Sequence, residues 1–347
     1  MKIIGCDYHP SYQQIAALDT ETGELREGRL EHEHGEAKRF YQALRGPVRV
    51  GMEAVGNSQW FEGMLAELGH ELWIGDAARI RRLVVRQQKT DRRDARHILD
   101  LLLDGRFPRL WVPSAEVRDM RQLLRHRQKL VELRTQVKNQ LQHLALNQGV
   151  RRKRRLWSLA GRAVLEQLPL AGWTARRRSD LLAMLDQMNV HIAELDSAVR
   201  AEAERRSEVR LLMTHPGVGP VVGLAYVLTL GPVSRFPRGK QVASYLGLIP
   251  SEHSSGGRQK LGSISKQGNT MMRTLLVEAA QNAARFDEPL RRDYRRLAAR
   301  KHKALAKIMV ARKLAVRLYW MLRNQQPYSP RPVARMQGSP SHSVVAG

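Results

Sequence analysis

The middle of the chain carries two runs of apolar residues in steps of three, four and seven. In the first run, four residues recur every seven positions: Leu123, Leu130, Val137 and Leu144. The second run alternates steps of four and three: Leu181, Leu185, Met188, Ile192, Leu195 and Val199. This is coiled-coil spacing, so residues 115–205 are expected to form long helices. The spacing fits an intramolecular helical hairpin and an interface between subunits equally well.

The N-terminal segment, residues 1–114, combines short apolar runs with helical patterns. Runs typical of strands lie at residues 3–6, 14–19, 28–31, 48–52 and 71–74. Helical patterns lie at residues 38–44, 60–68 and 91–103. A meander of strands, followed by strands that alternate with helices, is the element order of a ribonuclease-H-like fold. The sequence therefore predicts an α/β domain, with mainly helical structure after it.

The C-terminal part, residues 206–325, contains a glycine-rich turn in front of an apolar helix. Gly217 and Gly219 allow backbone N–H groups to approach a phosphate at a helix N-terminus, as in a helix-hairpin-helix phosphate clip. An ordinary tight turn explains the same spacing equally well. Two further helices are expected at residues 270–284 and 289–324. Residues 326–347 are rich in Pro and Ser and are expected to be disordered.

The chain is strongly basic, with 59 Lys and Arg against 33 Asp and Glu and a net charge of +26. Such an excess predicts a polyanionic partner. The single cysteine, Cys6, excludes an intramolecular disulfide and a multi-cysteine zinc site, and it suits a reducing cytoplasm. The apolar run at residues 221–230 is too short to cross a bilayer, so no membrane association is expected.

Clusters of basic residues are the predicted nucleic-acid contacts. The densest is a block of five cations: Arg151, Arg152, Lys153, Arg154 and Arg155. At this density, neutralisation of phosphates explains the charges better than a solvated surface does. The other predicted contacts are Arg79, Arg82, Arg86, Lys89, Arg92, Arg93, Gly217, Gly219, Arg258, Lys260 and Lys266.

Four carboxylates, which we call the acidic quartet, stand where segments of the predicted α/β domain are expected to meet. Asp7 directly follows the first strand, and Glu53 directly follows a later strand. Asp91 and Asp94 are three residues apart, which places them on one face of a helix that Thr90 can cap. Converging carboxylates resist ionising together, and a divalent cation removes that penalty. The acidic quartet is therefore a candidate Mg²⁺ site for phosphoryl transfer.

Five motifs, in order, resemble the DEDD transposases of bacterial insertion sequences, the IS110 group. They are IleGlyCysAsp at 4–7, MetGluAlaValGlyAsn at 52–57, LysThrAspArgArgAspAlaArg at 89–96, ProGlyValGlyPro at 216–220 and the Ser- and Gly-rich run at 245–269. We call the last run the serine segment. The resemblance implies a RuvC-like nuclease domain at residues 1–114, a coiled-coil region at 115–205 and a transposase domain at 206–325.

The resemblance also implies a DNA recombinase guided by a structured noncoding RNA, the bridge RNA, which pairs with donor and target DNA. The family's nucleophilic serine stands directly before a glycine, and Ser255 occupies that position, with Ser254 as its main competitor. Dimers are expected to form a synaptic tetramer. Each of its composite active sites would combine two subunits and hold two Mg²⁺ ions on the acidic quartet. Pro10 stands where many members have lysine, so no role of that lysine is carried over.

Two competing functions remain open at this point. In a RuvC-like Holliday-junction endonuclease, water would attack at the acidic quartet and the serine segment would only bind. A non-catalytic RNA or DNA scaffold would retain a degenerate nuclease fold. The intact quartet argues against the scaffold, and the serine segment argues against the endonuclease. The expected location is the bacterial cytoplasm, with activity at the nucleoid.

Overall fold

The computed structural model describes residues 1–83, 90–151, 153–252, 254 and 260–330, without the side chains of residues 153 and 154. The chain forms two compact units, Met1–Pro113 and Ser114–Gly347. The first unit is mixed α/β and the second is mostly helical, which agrees with the predicted fold class. Within the described part of the chain, every helix is too short or too polar to cross a membrane.

Five strands form one sheet in the first unit. They are β1 (Lys2–Tyr8), β2 (Tyr12–Asp19), β3 (Leu25–Glu31), β4 (Val48–Glu53) and β5 (Glu71–Gly75). Their spatial order is β3-β2-β1-β4-β5. The first three strands pair antiparallel, whereas β4 and β5 run parallel to β1. The predicted meander followed by strands alternating with helices is confirmed.

Helices cover both faces of this sheet. They are α1 (Glu36–Ala43), α2 (Gln59–Glu67), α3 (Ala77–Arg82) and α4 (Asp91–Leu103). Successive residues of a strand point to opposite faces. On one face, Ile4 and Cys6 of β1 pack with Phe61 of α2. On the other face, Ile3 packs in the same cluster as Leu99 of α4. This second cluster holds α4 against the sheet.

The second unit consists of helices and one small sheet. The helices are α5 (Ala115–Asn147), α6 (Leu159–Glu166), α7 (Gly172–Arg205), α8 (Ser207–Met213), α9 (Pro220–Leu230), α10 (Gly239–Tyr245), α11 (Thr270–Phe286), α12 (Glu288–Arg300) and α13 (Lys303–Asn324). The strands β6 (Pro250–Glu252) and β7 (Leu261–Ile264) pair antiparallel. The single helix predicted at residues 289–324 is in fact α12 and α13, because His302 interrupts it and caps α13.

The two longest helices, α5 and α7, pack antiparallel within the chain. Arg127 in the first half of α5 pairs with Asp196 in the second half of α7. Arg177 near the start of α7 donates a hydrogen bond of 2.8 Å to Gln140. The apolar side chains between them include Val137, Leu141, Leu144, Leu181 and Leu185. A helical hairpin is therefore the arrangement within one chain, while coiled-coil packing and a subunit interface stay predictions.

The buried stripe of α5 departs from the seven-residue spacing. Leu130, a position in that spacing, is only half-buried, whereas Leu124 and Leu141 are buried. A strict seven-residue repeat drifts around a helix of 3.6 residues per turn. The face of α5 that is buried against α7 and the C-terminal helices therefore changes gradually along the helix.

A buried polar cluster holds the last helices to the turn before α9. Asp287 is 1% exposed and accepts hydrogen bonds from the Tyr328 hydroxyl (2.6 Å) and the Arg317 guanidinium. His215 Nε2 lies 4.0 Å from an Asp287 oxygen, and burial lowers the pKa of His215 to about 4. The Tyr328 N–H also donates to Thr214 (2.9 Å), so these bonds hold a residue of the segment predicted to be disordered.

Candidate active site

Helix α4 lies against the sheet with its N-terminus at the carboxyl end of β1. The approach is close because Gly5 has no side chain: a Cβ there would lie 2.2 Å from the carbonyl oxygen of Ala95. Gly51 of β4 has the same role, since its Cβ would lie 2.7 Å from the Leu102 side chain. Asp7 follows Gly5 by two residues on the same face. The two glycines thereby set the carboxyl ends of β1 and β4 beside the helix.

The structure brings the acidic quartet to one end of one sheet face. Asp7 and Glu53 directly follow Cys6 and Met52, which pair across the adjacent parallel strands β1 and β4. Because side chains alternate, both carboxylates belong to the face that α4 covers. The first turn of α4 carries the other two members of the quartet. The role of these residues in catalysis stays a prediction.

Three ligand atoms form a close group at this end of the sheet. Oδ2 of Asp7 lies 3.2 Å from Nε2 of His9, and Oδ2 of Asp91 lies 3.8 Å from the same nitrogen. One ligand atom of each residue lies within 4.8 Å of the other two. We call this group the Asp7–His9–Asp91 triplet. Glu53 and Asp94 lie at the same end of the sheet but outside the triplet.

His9 and Tyr12 are site residues that the sequence interpretation missed. The Tyr12 hydroxyl donates a 2.8 Å hydrogen bond to Oδ2 of Asp91, and its ring stacks on His9 with centroids 4.6 Å apart. The Arg29 guanidinium lies 3.7 Å from the centre of the Tyr12 ring. His9 could have been found, because it follows Asp7 by two residues, the period that keeps side chains on one strand face. Tyr12 lies on the next strand and carries no such signal.

The electrostatics of Asp7 favour a bound cation. Burial raises the pKa of Asp7, and the charges of Asp94 and Asp91 add to this effect, while His9 opposes it. The ionised Asp7 carboxylate is therefore costly in the metal-free protein. Carboxylate oxygens suit Mg²⁺ and Mn²⁺, and a divalent cation would offset this cost. The residues present fit a divalent-metal site.

Basic side chains accompany the acidic quartet. Arg79 and Arg82 are exposed on α3, and Arg93 is exposed in the first turn of α4. Arg92 pairs with Glu27 of β3. Two further predicted contacts lie outside the described residues: Arg86 and Lys89. The exposed guanidinium groups of Arg79 and Arg82 can reach a phosphate, whereas Arg92 would first have to leave Glu27.

The serine segment contains the strands β6 and β7, and its two ends pack closely against each other. A Cβ at Gly247 would lie 2.2 Å from the carbonyl oxygen of Gln267, and one at Gly268 would lie 2.2 Å from that of Tyr245. Both glycines have left-handed φ angles, 66° and 71°. Arg273 of α11 is buried there and donates to the Gln267 carbonyl. These contacts therefore fix the positions at which the chain enters β6 and leaves β7.

Ser254 ties the two arms of this hairpin together. Its hydroxyl donates to Oε1 of Glu252 (2.7 Å) and accepts the backbone N–H of Lys260 (3.1 Å). Lys260 and Lys266 are exposed, and Lys266 has a left-handed φ of 55°. The predicted nucleophile and one predicted phosphate contact lie outside the described residues: Ser255 and Arg258.

The remaining predicted contacts also lie in the second unit. Arg151 and Arg155 are exposed. Arg152 and the side chains of Lys153 and Arg154 lie outside the described part of the structure. Gly217 has a φ of 83°, and its Cβ would lie 2.6 Å from the backbone of Ala283, so packing on α11 already requires glycine. Gly219 precedes α9, and no atom lies near its missing Cβ.

Sequence comparisons place both units among transposases. The family described as the IS116/IS110/IS902 transposase family matches residues 209–295. The DEDD transposase domain of the same group matches residues 4–148. A probable family 20 transposase of Pseudomonas aeruginosa is 30% identical over 81% of this chain and 84% of its own length. The chain belongs to the IS110 family of DEDD transposases.

Other members of the comparison show how far the similarity extends. The transposase of insertion sequence element IS1111A from Coxiella burnetii is 25% identical over 81% of this chain and 77% of its own length. The pilin gene-inverting protein of Moraxella bovis is 28% identical over 45% of this chain and 48% of its own length. Membership of the IS110 family implies an enzyme that processes DNA. The matched DEDD domain and the Asp7–His9–Asp91 triplet together suggest the use of a divalent metal.

Proposed function

We propose that this IS110-family transposase carries out RNA-guided transposition, exchanging strands between donor and target DNA through a phosphoserine intermediate. The observation that carries the proposal is the convergence of Asp7 and Asp91 within the region that matches DEDD transposases. Carboxylates gathered at one edge of a sheet oppose folding unless a cation joins them. Such an arrangement is therefore better explained by a role in function than by a contribution to stability.

The proposed chemistry divides the work between the acidic quartet and the serine segment. The quartet would hold Mg²⁺, which when bound supplies stabilisation of phosphate charge and favours loss of the serine proton. The Ser255 oxygen attacks a DNA phosphate, the bond from phosphorus to the 3′ oxygen breaks, and that oxygen leaves as a hydroxyl. The 3′ hydroxyl of the recombining strand then attacks the phosphoserine and releases the serine. Each broken phosphoester is replaced by another, so the exchange needs no ATP.

The hydrogen bonds of Ser254 support Ser255 as the nucleophile. The Ser254 hydroxyl bridges Glu252 and Lys260, so an attack by Ser254 would require both hydrogen bonds to break. The competing assignment gives Ser254 the attack, with Glu252 as its general base, since a serine hydroxyl requires such a partner. The family pattern favours the serine that stands before Gly256.

The proposed partners follow from charge and from the family. The net charge of +26 and the exposed Arg79, Arg82 and Arg155 suit phosphate backbones. Aromatic residues make up only 5% of the chain, so base stacking is a minor source of affinity. Pairing by a guide RNA would supply sequence specificity without base contacts from the protein. The quartet and the serine segment belong to separate units, and in the proposed tetramer they come from different subunits.

A RuvC-like junction endonuclease is the second candidate. The acidic quartet, which would hold the metal, lies entirely in the first unit, and water could replace serine as the attacking group. The relative named as a gene-inverting protein favours strand exchange instead, because inversion requires rejoining as well as cutting. The two candidates differ in whether a covalent protein–DNA link forms.

Trapping that link tests the proposal. Purified protein is incubated with the candidate guide RNA and labelled donor and target DNA, and covalent adducts are separated under denaturing conditions. We expect an adduct with the wild type and with Ser254→Ala, and none with Ser255→Ala. An adduct that depends on Ser254 and Glu252 would move the nucleophile by one residue. Free DNA ends produced by Ser255→Ala would contradict the phosphoserine and favour the endonuclease.

A further inference from the structure

His9 brings a nitrogen ligand to an otherwise carboxylate site. Its Nε2 lies 3.2 Å from Oδ2 of Asp7 and 3.8 Å from Oδ2 of Asp91. It is not a member of the acidic quartet, and phosphoryl transfer with Mg²⁺ requires only oxygen ligands. The position of this ring therefore needs an explanation of its own.

Two features restrict the position of the His9 ring, one acting on the ring and one on the backbone. The ring of Tyr12 stacks on it at 23°, and the Tyr12 hydroxyl is itself bound to Asp91. Pro10 follows His9 and restricts the His9 backbone to extended conformations. The nitrogen is thus directed at the two carboxylates before any ion arrives, which is what a metal ligand requires.

The spacing within the Asp7–His9–Asp91 triplet matches ligands that share one ion. Ligands about 2.1 Å from an ion lie about 3.0 Å apart at right angles and about 3.4 Å apart in a tetrahedral arrangement. The observed separations from Nε2 to the two carboxylates, 3.2 and 3.8 Å, need only small adjustments to reach these values. In the metal-free protein His9 forms a hydrogen bond with Asp7, and an arriving ion would replace this bond.

We propose that His9 is a direct ligand of the catalytic metal and gives this site a preference for Mn²⁺ and related first-row ions over Mg²⁺. Imidazole nitrogen binds such ions better than it binds Mg²⁺, which favours oxygen and retains its water. The inference rests on the proposed metal site and extends it, because it assigns an additional ligand and an ion preference.

The test measures metal binding directly on the full-length protein without DNA. Mn²⁺ and Mg²⁺ affinities are determined by calorimetry for the wild type, His9→Gln and His34→Gln. The last is a matched control, since His34 is an exposed histidine of the same unit. Pulsed electron paramagnetic resonance of the Mn²⁺ complex reports whether a ¹⁴N nucleus is bound to the ion. Circular dichroism establishes that each variant is folded.

We expect tighter binding of Mn²⁺ than of Mg²⁺ by at least about tenfold, and a directly bound ¹⁴N signal, in the wild type and His34→Gln. His9→Gln should lose the nitrogen signal and most of the preference. A folded His9→Gln with wild-type Mn²⁺ affinity, or a wild type without a bound ¹⁴N, would overturn the inference while leaving the metal site intact. A wild type that binds neither ion would instead defeat the proposed metal site itself.

Discussion

The substitution Gly5→Ala tests the contact that places α4 beside the acidic quartet. The added Cβ would lie 2.2 Å from the Ala95 carbonyl oxygen and 2.5 Å from the Leu99 nitrogen, both of them backbone atoms that cannot rotate away. A tolerable separation of 3.0 Å requires the helix to retreat by roughly 0.8 Å. Overpacking of this kind costs about 1–3 kcal/mol of unfolding free energy.

The same retreat moves Asp91 away from Asp7. Because a displacement of about 1 Å can lower a reaction rate about 100-fold, we expect strand exchange to fall by about that factor. Urea unfolding and a strand-exchange assay measure the two effects on the same preparations.

Gly28→Ala is the matched control, since Gly28 lies on β3 of the same sheet and no atom lies within 4 Å of its missing Cβ. It should leave both quantities near their wild-type values. A Gly5→Ala protein with wild-type stability and activity would refute the close packing of α4 on β1.

Three further predictions concern pH, the tyrosine of the site and salt. The folded state keeps His215 neutral by lowering its pKa from 6.5 to about 4, so stability is lost as pH falls through this window, by about 3 kcal/mol. His215→Gln should remove that part of the pH dependence. If urea unfolding gave the wild type and the variant the same dependence of unfolding free energy on pH, this would contradict the prediction. Tyr12→Phe removes the hydroxyl bound to Asp91 and should slow strand exchange about tenfold, with less than about 1 kcal/mol lost in unfolding free energy. A large loss of stability would assign Tyr12 a structural role instead. Nucleic-acid affinity should fall at least about 1000-fold between about 50 and 200 mM salt, and a flat titration would refute binding through phosphates.

The sheet of the first unit and the placement of the acidic quartet could be predicted because both depend on local patterns. A strand alternates with period two, so Asp7 and Glu53 could be placed at the carboxyl ends of their strands from their own segments. They were predicted to follow those strands directly, but both lie within them, because β1 runs to Tyr8 and β4 to Glu53. Thr90 likewise predicts the N-terminus of the helix that carries Asp91, and its side chain does cap α4.

Features that depend on contacts between distant segments escaped the sequence interpretation. Tyr12 meets Asp91 only because the β1–β2 hairpin and α4 converge, and the two residues lie 79 positions apart. The hydrogen bond from Tyr328 to Asp287 spans 41 positions and has no local signal. The helix breaks at His302 because its polar side chain caps α13. This capping competes with the helical pattern, which continues through the break.

The most direct test of the central claim compares Asp7→Asn with Asp100→Asn. Each removes one carboxylate, but Asp100 lies on the exposed side of α4, where it pairs with Arg96. The pKa of Asp7 is raised, so the folded protein bears its charge at a cost at neutral pH, and Asp7→Asn should raise the melting temperature of the metal-free protein. The same variant should lose at least about 100-fold in strand exchange, while Asp100→Asn retains it. Strand exchange by Asp7→Asn at the level of Asp100→Asn would contradict a metal-dependent acidic site.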